Sequence, residues 1–156
     1  MTTPKDAAAN QREVNALIAR AQAGEADIAV VGGEALYRGD VTASQLIAYM
    51  SQVRAAVPGS VKVTTNEIWD VLIQHPDVIA AVDLLLVNYY PYWLGIPLDK
   101  ALAATDDWYG RTVAAAQSKP VWVGESGWPS CGNAIYKAIP SEANAAGHFR
   151  NFVSWA

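Results

Sequence analysis

Pro120-Val121-Trp122-Val123-Gly124-Glu125-Ser126-Gly127-Trp128-Pro129-Ser130 reads as a buried strand that runs into a forced turn. Pro120 breaks the preceding helical pattern, Val121 and Val123 supply β-branched apolar side chains, and Gly127 and Pro129 prevent the strand from continuing. Glu125 is thereby delivered to the C-terminal tip of a strand, where parallel α/β sheets gather their reactive groups. Asp27-Ile28-Ala29-Val30-Val31-Gly32-Gly33-Glu34 repeats the design, so the chain offers two strand-end carboxylates, Glu34 and Glu125.

Working outward from these strands, apolar residues at helical spacing (Val14, Leu17, Ile18, Ala21) predict a helix over 6–23, closed by Gly24. Thr42 reads as the N-cap of a helix with Leu46, Ile47, Met50 and Val53 on one stripe, ending before Pro58-Gly59. Strands are predicted at 27–31, 61–65, 83–88 and 121–124, with short helices at 68–74 and 76–82. Longer helices follow at 106–118 and, capped by Ser141, at the end of the chain. Alternating helices and strands imply a parallel sheet with right-handed crossovers. Counted from starts near 27, 61, 84 and 121, the strands lie 34, 23 and 37 residues apart, a spacing that suits βα units of a (β/α)8 barrel. Four strands cannot close such a barrel. The expected fold is a single α/β half-barrel domain over 1–156, with four parallel strands, helices on the outer face and two open edges. An open apolar face of that kind predicts self-association, a homodimer through the open face or edges, against the alternative of a sheet that covers its own edges.

Composition narrows the chemistry. The 156 residues are 52% hydrophobic, enough for a substantial core, and the formal net charge of −4 excludes a nucleic-acid footprint. Two histidines and one cysteine give no metal-binding spacing, so no structural metal is expected. Met1-Thr2-Thr3-Pro4-Lys5-Asp6 lacks an apolar leader core and no run reaches membrane-spanning length. As written, the expectation is a cytoplasmic chain with no membrane partner.

Three segments carry a family resemblance. Val31-Gly32-Gly33-Glu34-Ala35-Leu36-Tyr37-Arg38-Gly39-Asp40 resembles the acid/base segment of family 17 glycoside hydrolases, the β-1,3-glucanase and glucanosyltransferase family, especially its bacterial branch. Val123-Gly124-Glu125-Ser126-Gly127-Trp128-Pro129-Ser130 resembles its nucleophile segment, and Asn88-Tyr89-Tyr90-Pro91-Tyr92-Trp93 the aromatic loop after its sixth strand. Their order, and the 91 residues from Glu34 to Glu125 (125 − 34), align the chain with strands four to seven of that barrel. Members of this family are often secreted or associated with the cell envelope. The resemblance implies retaining hydrolysis of β-linked glucosides or β-1,3-glucan, with possible transfer to another sugar, a mechanism that needs no cofactor. Glu34 would be the acid/base and Glu125 the nucleophile, the two carboxyl groups held about 5–5.5 Å apart. A non-catalytic carbohydrate-binding fragment is the alternative. The family's usual Asn before the acid/base is Gly33 here, which implies a slow enzyme.

Flat rings on strand-end loops suit stacking on pyranose faces, so Tyr37, Tyr89, Tyr90, Trp93 and Trp128 are the expected sugar contacts. Glu67, with Thr65 and Asn66 at the end of the second strand, reads either as a further substrate contact or as a helix cap. Trp108, Trp122 and Trp155 are assigned to core packing, as are His75, His148 and Cys131 to structural positions. Arg38 either orients Glu34 or solvates its loop.

Overall fold

The computed structural model describes residues 6–156; the leader reading of Met1–Lys5 lies outside them. Asp6 caps the first helix, α1 (Ala7–Gln22), by accepting from the Ala9 backbone N–H. Strand β1 (Ile28–Gly33) leads to α2 (Ala43–Ala56), whose Thr42 and Gln45 form a reciprocal capping box. Strand β2 (Lys62–Ile68) is followed by two short helices, α3 (Trp69–Leu72) and α4 (Pro76–Ala81). Strand β3 (Leu85–Tyr89) ends in a single 3-10 turn, Pro91–Leu94. Helix α5 (Leu98–Ala115), strand β4 (Val121–Ser126) and helix α6 (Glu142–Trp155) complete the chain.

The four strands form one parallel sheet in the order β1-β2-β3-β4, half of an eight-stranded barrel. Two boundaries move from their expected places. β2 runs on to Ile68, which puts Glu67 inside the strand, and α5 begins at Leu98, immediately after Pro97 sets the helix entry.

Side-chain parity decides the two faces. Ala29, Val31, Val63, Leu85, Val87, Tyr89 and Val121 point to the helices and share one core with Leu46, Met50, Leu72, Ile79 and Trp108. Trp69 and Trp108 stack at 5.3 Å in that layer, with the Arg111 guanidinium over Trp69. Val30, Thr64, Asn66, Asn88, Trp122 and Gly124 have the opposite parity and belong to the inner face. The middle of that face is covered, with Thr64 and Asn88 fully buried. Its flanks are open: Val30 on β1 is 39% exposed and Trp122 on β4 is 50% exposed. Trp122 is therefore no core residue, because its position on β4 turns it to the inner face at the open flank of the sheet.

A second, smaller core of Tyr92, Ala101, Trp128 and Ala138 gathers under the segment between β4 and α6. That segment folds back through the Ile135–Ala138 pairing and presses the Tyr136 ring against Gly95, where a Cβ would meet the ring at 2.6 Å. Only glycine fits there, at φ 69°.

Candidate active site

Both outer strands carry an irregularity immediately before their carboxylate. Val30 pairs with Thr64 but Gly33 pairs with Asn66, so β1 contains one extra residue, accommodated by Gly32 at φ 81°. On β4 the pairs Val87–Val123 and Asn88–Glu125 likewise leave Gly124 as the extra residue. A bulge re-aims the side chain that follows it, which a regular strand cannot do without reversing its whole face. Glu34 comes out at φ 52°, a left-handed backbone rare for a side chain with a Cβ, and its N–H donates to the Asn66 carbonyl at 2.7 Å. The left-handed residues of this tip are thus Gly32 and Glu34, whereas Gly33 has open space around its Cβ position.

Glu34 and Glu125 face one cleft of about 560 Å3, which they line with Tyr37, Ile68, Trp69, Asp70, Tyr90, Trp93 and Leu94. Asn88 Nδ2 donates to Glu34 Oε1 at 2.8 Å, and the Tyr90 hydroxyl donates to Glu125 Oε2 at 2.6 Å. Burial pushes the Tyr90 hydroxyl well above the ordinary tyrosine range, and its bond to Glu125, with the negative charges of Glu125 and Glu34, pushes it further. Tyr90 is consequently a fixed proton donor to the carboxylate at all ordinary pH values. Tyr37 and Trp93 are 60% and 64% exposed, open rings on the cleft wall. Asp70, Ile68 and Leu94 also line the cleft, and none of them stands in a motif that would single it out.

Three expected substrate contacts lie elsewhere. Glu67 is fully buried: Oε1 accepts the Leu36 N–H at 2.7 Å and Oε2 the Tyr37 N–H at 3.4 Å. Desolvation raises its pKa above the ordinary value, although the two backbone donors and Arg38 pull the other way. It is a buried clamp on the loop that follows Glu34, neither substrate contact nor helix cap. Tyr89 shares the parity of Leu85 and Val87, so its ring enters the helical core and burial pushes its hydroxyl up to about 12. Trp128 is packed edge-on against Tyr92 and donates to the Ile139 carbonyl, under the folded-back segment rather than in the cleft.

Arg38 turns to Asp40 at 2.7 Å instead of Glu34. His148 is buried within reach of Ser126 Oγ at 3.1 Å, and burial lowers its pKa. Cys131 is exposed and does no packing. Among the described residues no cluster of three or more His, Cys, Asp or Glu is placed to hold a metal ion, and no helix is long and apolar enough to cross a membrane.

Two strand-tip glutamates on one cleft, each held by a donor from β3 or the residue just after it, are the arrangement of a glycosidase, and the family model that matches residues 1–156 is that of the BtgE/BtgC glycoside hydrolase domain. The chain belongs to this family. It is 33% identical over 137 residues to a glucan 1,3-beta-glucosidase of Candida albicans, covering 76% of this chain and 44% of that protein. A glycoside hydrolase family 17 beta-1,3-glucanosyltransferase from Rhizomucor miehei superimposes with a TM-score of 0.81 at 30% identity, over 94% of this chain and 56% of that one. An active-site mutant of the Rhizomucor miehei beta-1,3-glucanosyltransferase, in complex with laminaritriose, gives 0.83 at 29% identity, over 96% and 57%. This BtgE/BtgC-type chain thus spans about half the length of these relatives, and its sheet is a partial barrel of their fold.

Proposed function

We propose that this chain carries both reacting carboxylates of a retaining glycosidase acting on β-linked glucosides or β-1,3-glucan. The observation that supports it most is the pairing of Glu34 and Glu125 on one cleft with a separate donor on each. Tyr90 occupies Glu125 Oε2, which leaves Oε1 to attack the anomeric carbon. Asn88 occupies Glu34 Oε1, which leaves Oε2 to hold the proton. In the first step the new C1–Oε1 bond forms as the glycosidic C1–O bond breaks, and the Glu34 proton passes to the departing oxygen. In the second, Glu34 takes a proton from water, whose oxygen attacks C1 and releases Glu125; a sugar hydroxyl in place of water gives transfer. Tyr37 and Trp93 offer their faces to the pyranose rings, and Tyr90 and Asp70 line the wall beside the reacting bond. Glu67 acts from behind, by holding the Leu36 and Tyr37 N–H groups.

The test compares nitrophenol release from an aryl β-glucoside, and reducing sugar from a β-1,3-glucan, for the parent, Glu34→Ala and Glu125→Ala. The reading expects a fall of at least about a thousandfold in both variants. A parent that binds the glucan without cleaving it would favour the carbohydrate-binding alternative.

The partner of the open edges belongs to the same reading: a second copy of this chain. A cavity of about 260 Å3 flanks β1 beside Val30 and one of about 630 Å3 flanks β4 beside Trp122. β4 of one copy against β1 of the other, on both sides, gives eight parallel strands with both clefts on one rim. Analytical ultracentrifugation checks this: the parent sediments as a dimer and Trp122→Lys as a monomer, whereas a monomeric parent rules it out.

A further inference from the structure

We propose that Asn88 is the spacer of the carboxylate pair, a positioning residue that fixes Glu34 relative to Glu125, and that Gly124 exists to make room for it. The inference rests on the assignment of the two glutamates above and adds the group between them.

Among the described residues, Asn88 is the cleft-end residue tied to both sides. Its backbone is the register partner of Glu125, and its side chain donates to Glu34 at 2.8 Å. One residue on a central strand therefore links the two outer strands that bear the reacting groups. Asn88 is fully buried, so the amide end of its bond to Glu34 is shielded from competing water.

The amide is held in this orientation at a cost. Asn88 Oδ1 is buried with no hydrogen-bond partner among the described residues, and so is Asn66 Oδ1 beside it. An unpaired buried oxygen is destabilising, so a side chain chosen for stability alone would be apolar here. Reversing the amide would bring Oδ1 against the Glu34 carboxylate, acceptor against acceptor. The observed direction is the one that serves Glu34.

Gly124 leaves the space that Asn88 occupies. It is the extra residue of the β4 bulge, and its φ is not in the left-handed region, so backbone conformation does not demand glycine. Space does. A Cβ there would lie 2.8 Å from Asn66 Nδ2, 2.9 Å from Asn88 Oδ1 and 3.1 Å from Leu86 Cγ. Two of those atoms belong to buried amides that cannot retreat, since Asn66 and Asn88 are packed between strands. Any larger residue at 124 displaces Asn88 from Glu34.

Carbodiimide-driven amidation at pH 6, read residue by residue by peptide mass spectrometry, reports the exposure and mobility of each carboxyl whether or not the protein cleaves a glucoside. Glu67, fully buried, is the internal gauge of an intact fold. Four proteins are compared with the parent: Asn88→Ala, the isosteric Asn88→Asp, Gly124→Ala, and Asn88→Ala with Gly124→Ala. Glu34 labelling should rise about three- to tenfold in each Asn88 variant, the equivalent of one lost hydrogen bond of ordinary net strength, with Glu67 still protected. Gly124→Ala should reproduce the rise, and the double variant should not exceed Asn88→Ala, because both act through one contact. In any variant set that retains glucosidase activity, kcat falls while KM stays within about twofold of the parent. Unchanged Glu34 labelling with Glu67 protected, or additive effects in the double variant, overturns the proposal. Loss of Glu67 protection in both Asn88 variants also overturns it, since Asn88 would then be a stability residue. An inactive parent with the expected labelling pattern would remove the glycosidase reading and leave the spacer intact.

Discussion

The inner strands β2 and β3 differ from the outer strands β1 and β4 in almost every physical respect. The inner pair is regular in register and nearly all buried; the outer pair is bulged and half open to solvent. The division extends to chemistry. Glu34 and Glu125 sit at the tips of the outer strands, while the groups that hold them come from the inner ones: the Asn66 carbonyl, Glu67, Asn88 and Tyr90 just beyond β3. Reacting groups need solvent access and re-aimed side chains, which bulged edges supply. Groups that orient them need rigid surroundings, which only the buried centre supplies. It follows that loss of the inner-strand Glu67 should cost stability and activity together, and substitution at the outer-strand tips activity alone.

The sharpest way to break that division is Glu67→Ala. It strips the acceptors from two backbone N–H groups beside a fully buried site, and we expect a loss of about 2–3 kcal/mol by urea denaturation. Activity should fall with it as the loop carrying Tyr37 loosens. Glu67→Gln, which keeps an acceptor and removes the buried charge, should retain most of the stability. The pH dependence separates the two roles. Burial raises the Glu67 pKa above its ordinary 4.5, so the folded state binds this proton more tightly than the unfolded chain does. Its contribution to stability is full below 4.5 and is lost as pH rises through the folded value. In Glu67→Gln that decline should disappear from denaturation curves taken across the acid range. A Glu67→Ala protein as stable as the parent would end the distinction between inner and outer strands.

A smaller effect is expected at Tyr90, at the boundary. Tyr90→Phe removes the 2.6 Å bond to Glu125 and leaves the ring in place. We expect kcat/KM on an aryl β-glucoside to fall about tenfold, with a thermal midpoint unchanged within error. A large drop in the midpoint instead would move Tyr90 into the structural class.

What could be read in the chain and what could not follows the same boundary. Apolar runs ending in Gly-Glu mark both outer tips, and the order of Glu34, the Asn88–Trp93 segment and Glu125 marks the half-barrel. The inner strands mislead because a strand's end looks the same whichever face a side chain takes. Counting by twos from Val87 would have sent Tyr89 into the helical core, and counting from Val123 would have sent Trp122 out of it. The bulges at Gly32 and Gly124 leave no periodic trace, since one extra residue in a six-residue strand only shifts the pattern that would reveal it. Trp128 was hidden for another reason: it is covered by residues 131–140, a segment with no period of either kind.

Gly33 tests whether an outer tip can be changed freely. Its Cβ position meets nothing within 4 Å and its φ is ordinary, so Gly33→Asn fits without strain. If a polar arm there reaches the sugar beside Glu34, turnover should rise about two- to fivefold at unchanged stability, less than one hydrogen bond's worth. Unchanged turnover would mean that the cleft already satisfies the sugar at that position.

The least effect is expected at the other end of the sheet, where barrels hold stabilising rather than reactive groups. Arg54 on α2 contacts both oxygens of Asp83 at 2.8 Å and donates to the Ala81 carbonyl, and Asp83 in turn accepts the Val63 N–H at 2.7 Å. Desolvation alone would raise the Asp83 pKa, but the Arg54 and Val63 donors outweigh it and the net shift is downward. A depressed carboxylate stabilises the fold above its ordinary 3.8, and that stability is lost as pH falls through the folded value. The Arg54 side chain is 42% exposed, so the pair is screened and Arg54→Ala should cost only about 0.5–1 kcal/mol at pH 7. The difference from the parent should shrink in denaturation curves taken at successively lower pH, as Asp83 takes up its proton in the folded parent as well. Activity at pH 7 should not change, because no part of this network touches the cleft. An Arg54→Ala protein with full stability and impaired turnover would show that the base of the sheet communicates with its tips, and would place the inner strands' rigidity under the control of both ends.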